Sequence, residues 1–227
     1  TGIDMRGSKN NKITIDSGSI ITPESTTDEF KAIGIAAGTF NMGMTDQGIV
    51  NGKDVTVKGQ IYALEKGTIN LGLGSSNSLF AGVVSNTNGG AINLFLEKGA
   101  TWGNTLNSKS ATFNGSHVNT VSGGKTKQNQ GVISQKDSNP IRIDKYSGYT
   151  TVLYGHDKTT PTNIIGGILT INSALGDSFI TLRTDNVGLN TDSDKANDKN
   201  LVSETLNALA NKLYYTAHTN GEKNLSG

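Results

Sequence analysis

The chain has 227 residues, a formal net charge of +1, no cysteine, 29 glycines and only three prolines. Without cysteine, disulfides, thiolate metal sites and cysteine nucleophiles are excluded. The near-neutral charge argues against nucleic acid or an anionic membrane surface as the main partner, since both call for a basic face. Hydrophobic residues make up 33% and aromatics 6%, which is low for a compact globule of this length. Disorder is the competing reading, but a disordered chain carries more net charge and fewer β-branched residues. Ile, Val and Thr recur here in strand patterns, so a thin, surface-rich, all-β architecture fits better. No run is long enough to span a membrane as a helix. The chain opens on Thr1 with no visible leader, which reads as a fragment or a processed product.

In chain order, Lys12–Asp16 puts Ile13 and Ile15 on one face. Ser17-Gly18 turns, and Ile20-Ile21 begins another short piece. Thr26 and Glu29 have the spacing of a capping box and suggest one helical turn, or a solvated loop. Ile33–Ile35 and Phe40–Met44 read as strands. In Val55–Ala63, Val55, Val57, Ile61 and Ala63 share one parity with Gly59 as a bend. Glu65-Lys66-Gly67 turns into Thr68–Leu73, with Ile69, Leu71 and Leu73 inward; Leu79–Val84 is more continuously apolar. After the Asn86–Gly90 turn signal, Ala91–Leu96 alternates strictly. Ile92, Leu94 and Leu96 oppose Asn93, Phe95 and Glu97 with the period of a strand. Lys98-Gly99 turns the chain ahead of Trp102, the only tryptophan, and Ala111–Phe113 starts a further strand pattern. Beyond Gly123-Gly124, Lys125–Gln130 is a polar loop. Strands follow at Val132-Ile133, Ile141–Ile143 behind Pro140, Thr150–Tyr154, Ile168–Ile171 and Ser178–Leu182.

Ile13, Ile33 and Val55 start strands about 20 residues apart, as do Ile92 and Phe113, which is a solenoid spacing. An antiparallel sandwich would instead place hairpin-linked strands every 8–12 residues. The very short strands and glycine corners favour parallel coiling. The expected architecture is a right-handed parallel β-helix of roughly eight to ten coils, about 40–50 Å long at the usual inter-strand distance. Its one-side-chain-wide core needs few apolar residues per coil.

The ordered series Gly99–Trp102 (GATW), Ser116–Gly124 (SHVNTVSGG), Ile141–Tyr154 (IRIDKYSGYTTVLY) and Phe179–Asn186 (FITLRTDN) resembles the C-terminal part of autotransporter passenger domains. The resemblance covers about Ala91–Asn186. It implies a right-handed β-helix exported across the outer membrane to the surface of a Gram-negative-type cell. There it would serve as an adhesin or stalk that binds host or bacterial receptors, glycans or copies of itself. The family's translocator barrel, the one implied membrane link, does not follow in this chain.

Residues 1–189 form the expected β-helical segment and 190–227 a tail. Asn190–Asn200 reads as a linker. Leu201–Tyr215 reads as the one helix, with Val202, Leu206, Leu209 and Leu213 as its apolar stripe and Asp198 or Asn200 as its cap. Its expected role is to cover the open end of the coil.

Trp102 is either a sugar-stacking platform or corner packing; Tyr146, Tyr149 and Tyr154 are either a ligand strip or core ladder. In each case packing is the commoner use. His117, His156 and His218 lack ligand spacing. Asp192, Asp194, Asn197 and Asp198 lack the glycine and distal glutamate of a calcium loop. Gly72-Leu73-Gly74 precedes no helix and is a turn, not a dinucleotide loop. With no Gly-x-Ser-x-Gly elbow, chemistry would rest on Asp144, Asp157, Asp177 and Asp185. A glycosidase or lyase would need two such carboxyls about 5–10 Å apart. The expectation is therefore no catalysis, no cofactor and no metal, with a β-helical carbohydrate-active enzyme as the rival reading.

Overall fold

The computed structural model describes residues 2–22, 31–45, 47–105, 113–160, 162–185 and 198–216. Its strands form one continuous, mostly parallel sheet wound into a β-helix with three walls.

The first wall stacks β1 (Ile3–Met5), the first half of β4 (Lys31–Met42), the first half of β6 (Gln60–Leu73), β8 (Val84–Thr87), the start of β11 (Ser116–Ser122), the start of β13 (Ile141–His156) and the start of β15 (Leu169–Thr184). The second wall stacks β2 (Lys12–Ile15), the later part of β4 and of β6, β9 (Ala91–Leu96), the end of β11 and the middle of β13 and β15. The third stacks β3 (Gly18–Ile21), β5 (Val55–Lys58), β7 (Leu79–Ala81), β10 (Thr101–Gly103), β12 (Gly131–Ser134) and the last parts of β13 and β15. An antiparallel excursion leaves the coil where β14 (Ile164-Ile165) pairs with Gly155-His156.

Alternation along each strand builds the core as three inward rows. Ile15, Met42, Leu71, Leu94, Val121 and Tyr146 stack in the second wall. Ile20, Val57, Phe80, Trp102, Ile133, Val152 and Leu182 stack in the third. Ile33, Ile61 and Val84 lie in the first. Every interior member of these rows is buried. Burying each such side chain contributes about 1.5–3 kcal/mol, so a 33% apolar chain can hold its coils together.

The coil is longer than the strand spacing suggested. Ile33 sits on Ile61, 28 residues on, Ile61 on Val84, 23 on, and Ile141 on Leu169, 28 on. Ile13, Ile33 and Val55 fall about 20 residues apart because they belong to the second, first and third walls, not to one wall. The described residues thus make seven coils, spanning about 30–35 Å at the usual inter-strand distance, and not eight to ten.

Outward positions also form ladders. Thr14, Asn41, Asn70 and Asn93 occupy one outward row of the second wall. Asn93 Nδ2 donates to Asn70 Oδ1 and Asn70 Nδ2 to Asn41 Oδ1, both at 2.8 Å. Repeated on successive rungs, these amides satisfy one another and lock the register. Between β8 and β11, side chains tie the rungs: Ser116 Oγ accepts the Val84 N–H at 3.0 Å, and Asn86 Nδ2 donates to Asn119 Oδ1 at 2.6 Å. Buried beside them, Asn104 Nδ2 donates to Gln135 Oε1 and to Asn139 O, both at 2.9 Å, so a polar corner is internally bonded.

The corners fall where turn residues predict them. Glu65, Asn88 and Lys98 take positive φ. Gly148, at φ +77°, lets β13 cross from second to third wall; a Cβ there would meet Gly123 O at 2.7 Å, so only glycine fits.

The tail departs from expectation. Helix α1 spans Lys199–Ala210, capped by the Asp198 side chain, which accepts from the N–H groups of Asn200 and Leu201. The chain turns at Asn211-Lys212, and Leu213–Tyr215 forms β16, not more helix. β16 lies parallel on the first wall, Leu213 on Leu169 and Tyr215 on Ile171, and Thr216 N–H continues the ladder to Ile171 O at 2.9 Å. It is the first strand of an eighth coil. The helix is therefore an insertion between two rungs, not a terminal cap. Within it Leu209 is buried, while Leu206 is 60% exposed, so the expected stripe splits.

Ala111-Thr112, Thr26–Glu29, Asp192, Asp194, Asn197 and His218 lie outside the described residues. Phe113 is described but precedes β11 and is not in a strand.

Candidate ligand-binding face

The aromatic residues singled out from the sequence separate cleanly. Trp102 is fully buried in the third-wall row, stacked on Phe80 with ring centroids 6.1 Å apart, and its Nε1–H donates to Gly82 O at 3.0 Å. Tyr146 is buried, and its hydroxyl donates to Phe179 O at 2.7 Å and meets Thr150 Oγ1 at 2.8 Å. Burial pushes that hydroxyl's pKa up, against the opposing hydrogen bonds from Thr150. Tyr154 is buried too and donates to Lys212 O at 3.3 Å. These three are core members and offer no surface to a ligand. Tyr149 alone is partly exposed, stacked on Phe179 with centroids 4.9 Å apart.

The histidines and carboxylates, scattered in sequence, are brought together by the coil. In the first wall His117 stands beside Arg142 on the next rung, with Thr170 and Tyr214 beyond, one residue per rung on an outward row. His117 Nε2 lies 2.9 Å from Asp144 Oδ2, and Asn172 Nδ2 donates to Asp144 Oδ1 at 2.9 Å. Thr216 Oγ1 donates to Asn172 Oδ1 at 3.1 Å. Arg142 Nη2 lies against the imidazole, 2.9 Å from Nε2 and 3.2 Å from Nδ1, and Arg142 Nε is 3.8 Å from Asp144 Oδ1. Asp144 and the Arg142 guanidinium both lie against the His117 ring, so the imidazole ties the two side chains together. The arrangement holds the Arg142 guanidinium in place, with its side chain 56% exposed and that of Asp144 32% exposed. Further along the same wall, Tyr62 lies outward beneath Lys31, whose Nζ is 4.3 Å from the ring centroid.

A second pairing closes the corner after the third wall. His156 Nδ1 meets Asp185 Oδ1 at 2.8 Å, and Lys136 Nζ meets Asp185 Oδ2 at 2.7 Å. Partial burial works to raise the Asp185 pKa, but the hydrogen bonds and charges of Lys136 and His156 outweigh it and hold the carboxyl below its ordinary range. Asp157 accepts from the Thr159 backbone N–H and hydroxyl, at 2.8 and 2.7 Å, which lowers its pKa. Asp177 is exposed in β15. Each carboxylate is thus placed in its own setting, and Asp144 and Asp185 hold different partners at different corners.

Among the described residues no group of three His, Asp or Glu side chains could hold a metal ion. A shallow depression of about 330 Å³ lies on α1, lined by Lys199, Val202, Ser203, Leu206 and Asn207, and contains no carboxylate. Sequence reasoning missed the His117–Arg142–Asp144–Asn172 cluster. The signal was present as parity, since His117 and Arg142 oppose Val118 and Ile143 on their strands, but the coil length that superposes them was not.

No family model, no curated protein and no solved structure matches the chain.

Proposed function

We propose that this protein is a non-catalytic, surface-displayed β-helical segment of the autotransporter-passenger type, acting as an adhesin or stalk outside a Gram-negative-type cell. Its partners on this reading are a host or bacterial receptor, a glycan, or copies of itself. The observation that carries the reading is the filled core. Through the interior coils the inward rows are packed with Ile, Val, Leu, Met, Phe, Trp and Tyr, so recognition falls to the walls. Those walls present Thr, Asn, Ser, Lys and Tyr in regular rows, a surface suited to weak contacts that gain strength through repetition. The residue resemblance over Ala91–Asn186 supplies the expectation of export and display.

Beads coated with the purified chain are expected to bind host cells, bacteria or one another above an inert protein control. Release of reducing or unsaturated sugars from a polysaccharide panel, abolished by Asp144→Asn or Asp185→Asn, would replace this reading with a carbohydrate-active enzyme.

Self-association is favoured within this reading by where apolar surface is exposed. Of the ten large apolar side chains exposed among the described residues, seven lie between Ile165 and Tyr215, in the last coil and its neighbours, and two, Ile13 and Ile21, lie in the first coil.

A further inference from the structure

We propose that the outward row His117–Arg142–Thr170–Tyr214 is a binding strip for a carboxylated oligosaccharide, a chain of uronic-acid type. The proposal rests on the surface-binding reading above and names the ligand class for one wall.

Arg142 is the anchor. Its guanidinium is held on one side by the His117 ring, at 2.9 and 3.2 Å, while Nε stands 3.8 Å from Asp144. Asp144 is itself fixed by His117 and Asn172. Among the described residues Nη1 has no partner. The side chain is thus positioned without being used up. Its Nη1–H groups are placed to donate charge-assisted hydrogen bonds to a carboxylate. The ordering of a long side chain, usually a cost of binding, has already been met within the fold.

Tyr214 supplies the second contact. It lies on the same outward row, two rungs beyond Arg142 by way of Thr170, and is 55% exposed. An exposed tyrosine offers a flat apolar face with a polar tip, which suits the ring of a sugar. Rungs repeat about every 4.8 Å, close to the length of one sugar ring. A chain running along the coil axis could therefore place a carboxylate on Arg142, a hydroxyl over Thr170 and a ring on Tyr214. Asp144, 3.8 Å from Nε, offsets part of the Arg142 charge, so the attraction rests on the hydrogen bonds the guanidinium donates to the carboxylate.

The test is calorimetric titration of the full chain with oligogalacturonate, with a neutral oligosaccharide of equal length and with a sulfated one. Oligogalacturonate should bind and the neutral chain should not. Arg142→Gln should weaken binding about ten-fold or more, the scale of one lost charge-assisted contact, and Tyr214→Ala should weaken it several-fold. Arg142→Lys should fall between Gln and wild type, since it keeps the charge without the guanidinium. Lys53→Gln, on a cation paired with Asp16 elsewhere on the surface, should leave affinity unchanged, and circular dichroism confirms that each variant is folded. Equal binding of neutral and acidic chains, absence of binding, indifference to Arg142→Gln, or binding of the sulfated chain alone would each overturn the proposal. If beads still adhere to cells while oligogalacturonate does not bind, the surface-binding reading stands and this proposal fails.

Discussion

Trp102 and Tyr214 show how row membership decides the use of an aromatic side chain. Trp102 falls on the inward parity of the third wall and stacks between Phe80 and Ile133; Tyr214 falls on the outward parity of the first wall beyond Thr170. The same rule sorts the titrating groups. Asp185 is held below its ordinary pKa by Lys136 and His156 against the effect of burial. A carboxyl whose folded pKa is depressed stabilises the fold above its unfolded value, near 3.9. That contribution is lost as pH falls through the folded pKa. Asp185→Asn should therefore narrow the gap between the stability at pH 6 and that at pH 2.5, measured by urea unfolding at both. Asp185 is still one-third exposed, so the change should be modest. An identical pH dependence in the variant would show that the corner pairing does not bear on folding. None of these pairings was legible residue by residue. His117 and Asp144 are 27 residues apart, and parity assigns each to a surface without saying which coil brings them together. What parity did reveal is the core: Ile69, Leu71, Leu73, Ile92, Leu94 and Leu96, chosen by alternation alone, are all buried.

The tail is where elements compete. The apolar spacing Val202, Leu206, Leu209, Leu213 has helical period, which predicts one helix through Tyr215. The free backbone edge of Leu169–Ile171 offers Leu213–Tyr215 a ladder of hydrogen bonds instead, and the sheet takes those three residues. Helical periodicity is a local signal and cannot register a waiting strand edge that arises only after seven coils have formed. The split has a measurable consequence. Leu209 packs into the core cluster, with Ala208 and Leu213 alongside, whereas Leu206 faces solvent. Leu209→Asp should destabilise by about 3 kcal/mol or more, because it buries an unpaired charge where a leucine packed. Leu206→Asp should leave the melting temperature within a degree or two, as expected of an exposed site. Thermal unfolding of the two single variants separates the effects; equal losses would mean that both leucines are packed.

At the scale of the whole molecule, the first and last coils each present, among the described residues, strand edges with no strand paired to them, and those edges give this chain an association chemistry. β16 covers β15 only over Leu169–Ile171, so among the described residues the far edge of Ser173–Arg183 has no partner strand, and Ile180 and Leu182 are only partly buried. At the other end β2 and β3 carry the exposed Ile13 and Ile21 on the same second and third walls. Free strand edges with apolar side chains are templates for further pairing. All the strands of these walls run in one sense, so parallel pairing between copies requires the last coil of one to meet the first coil of the next. Such head-to-tail contacts do not close on themselves unless a rotation happens to return the chain, and they lead to open filaments. Sedimentation velocity on the purified chain should therefore show a concentration-dependent series of oligomers and not a discrete dimer. Leu175→Lys with Phe179→Lys should suppress the series by placing charge along the open edge. Ile13→Lys with Ile21→Lys should suppress it as well, and mixing the two double variants should restore dimers, since each retains one intact end. A wild-type chain that stays monomeric at high concentration would remove self-association from its activities. A series that responds to the last coil but not to the first would mean that like ends meet, through side chains and not through a shared parallel ladder.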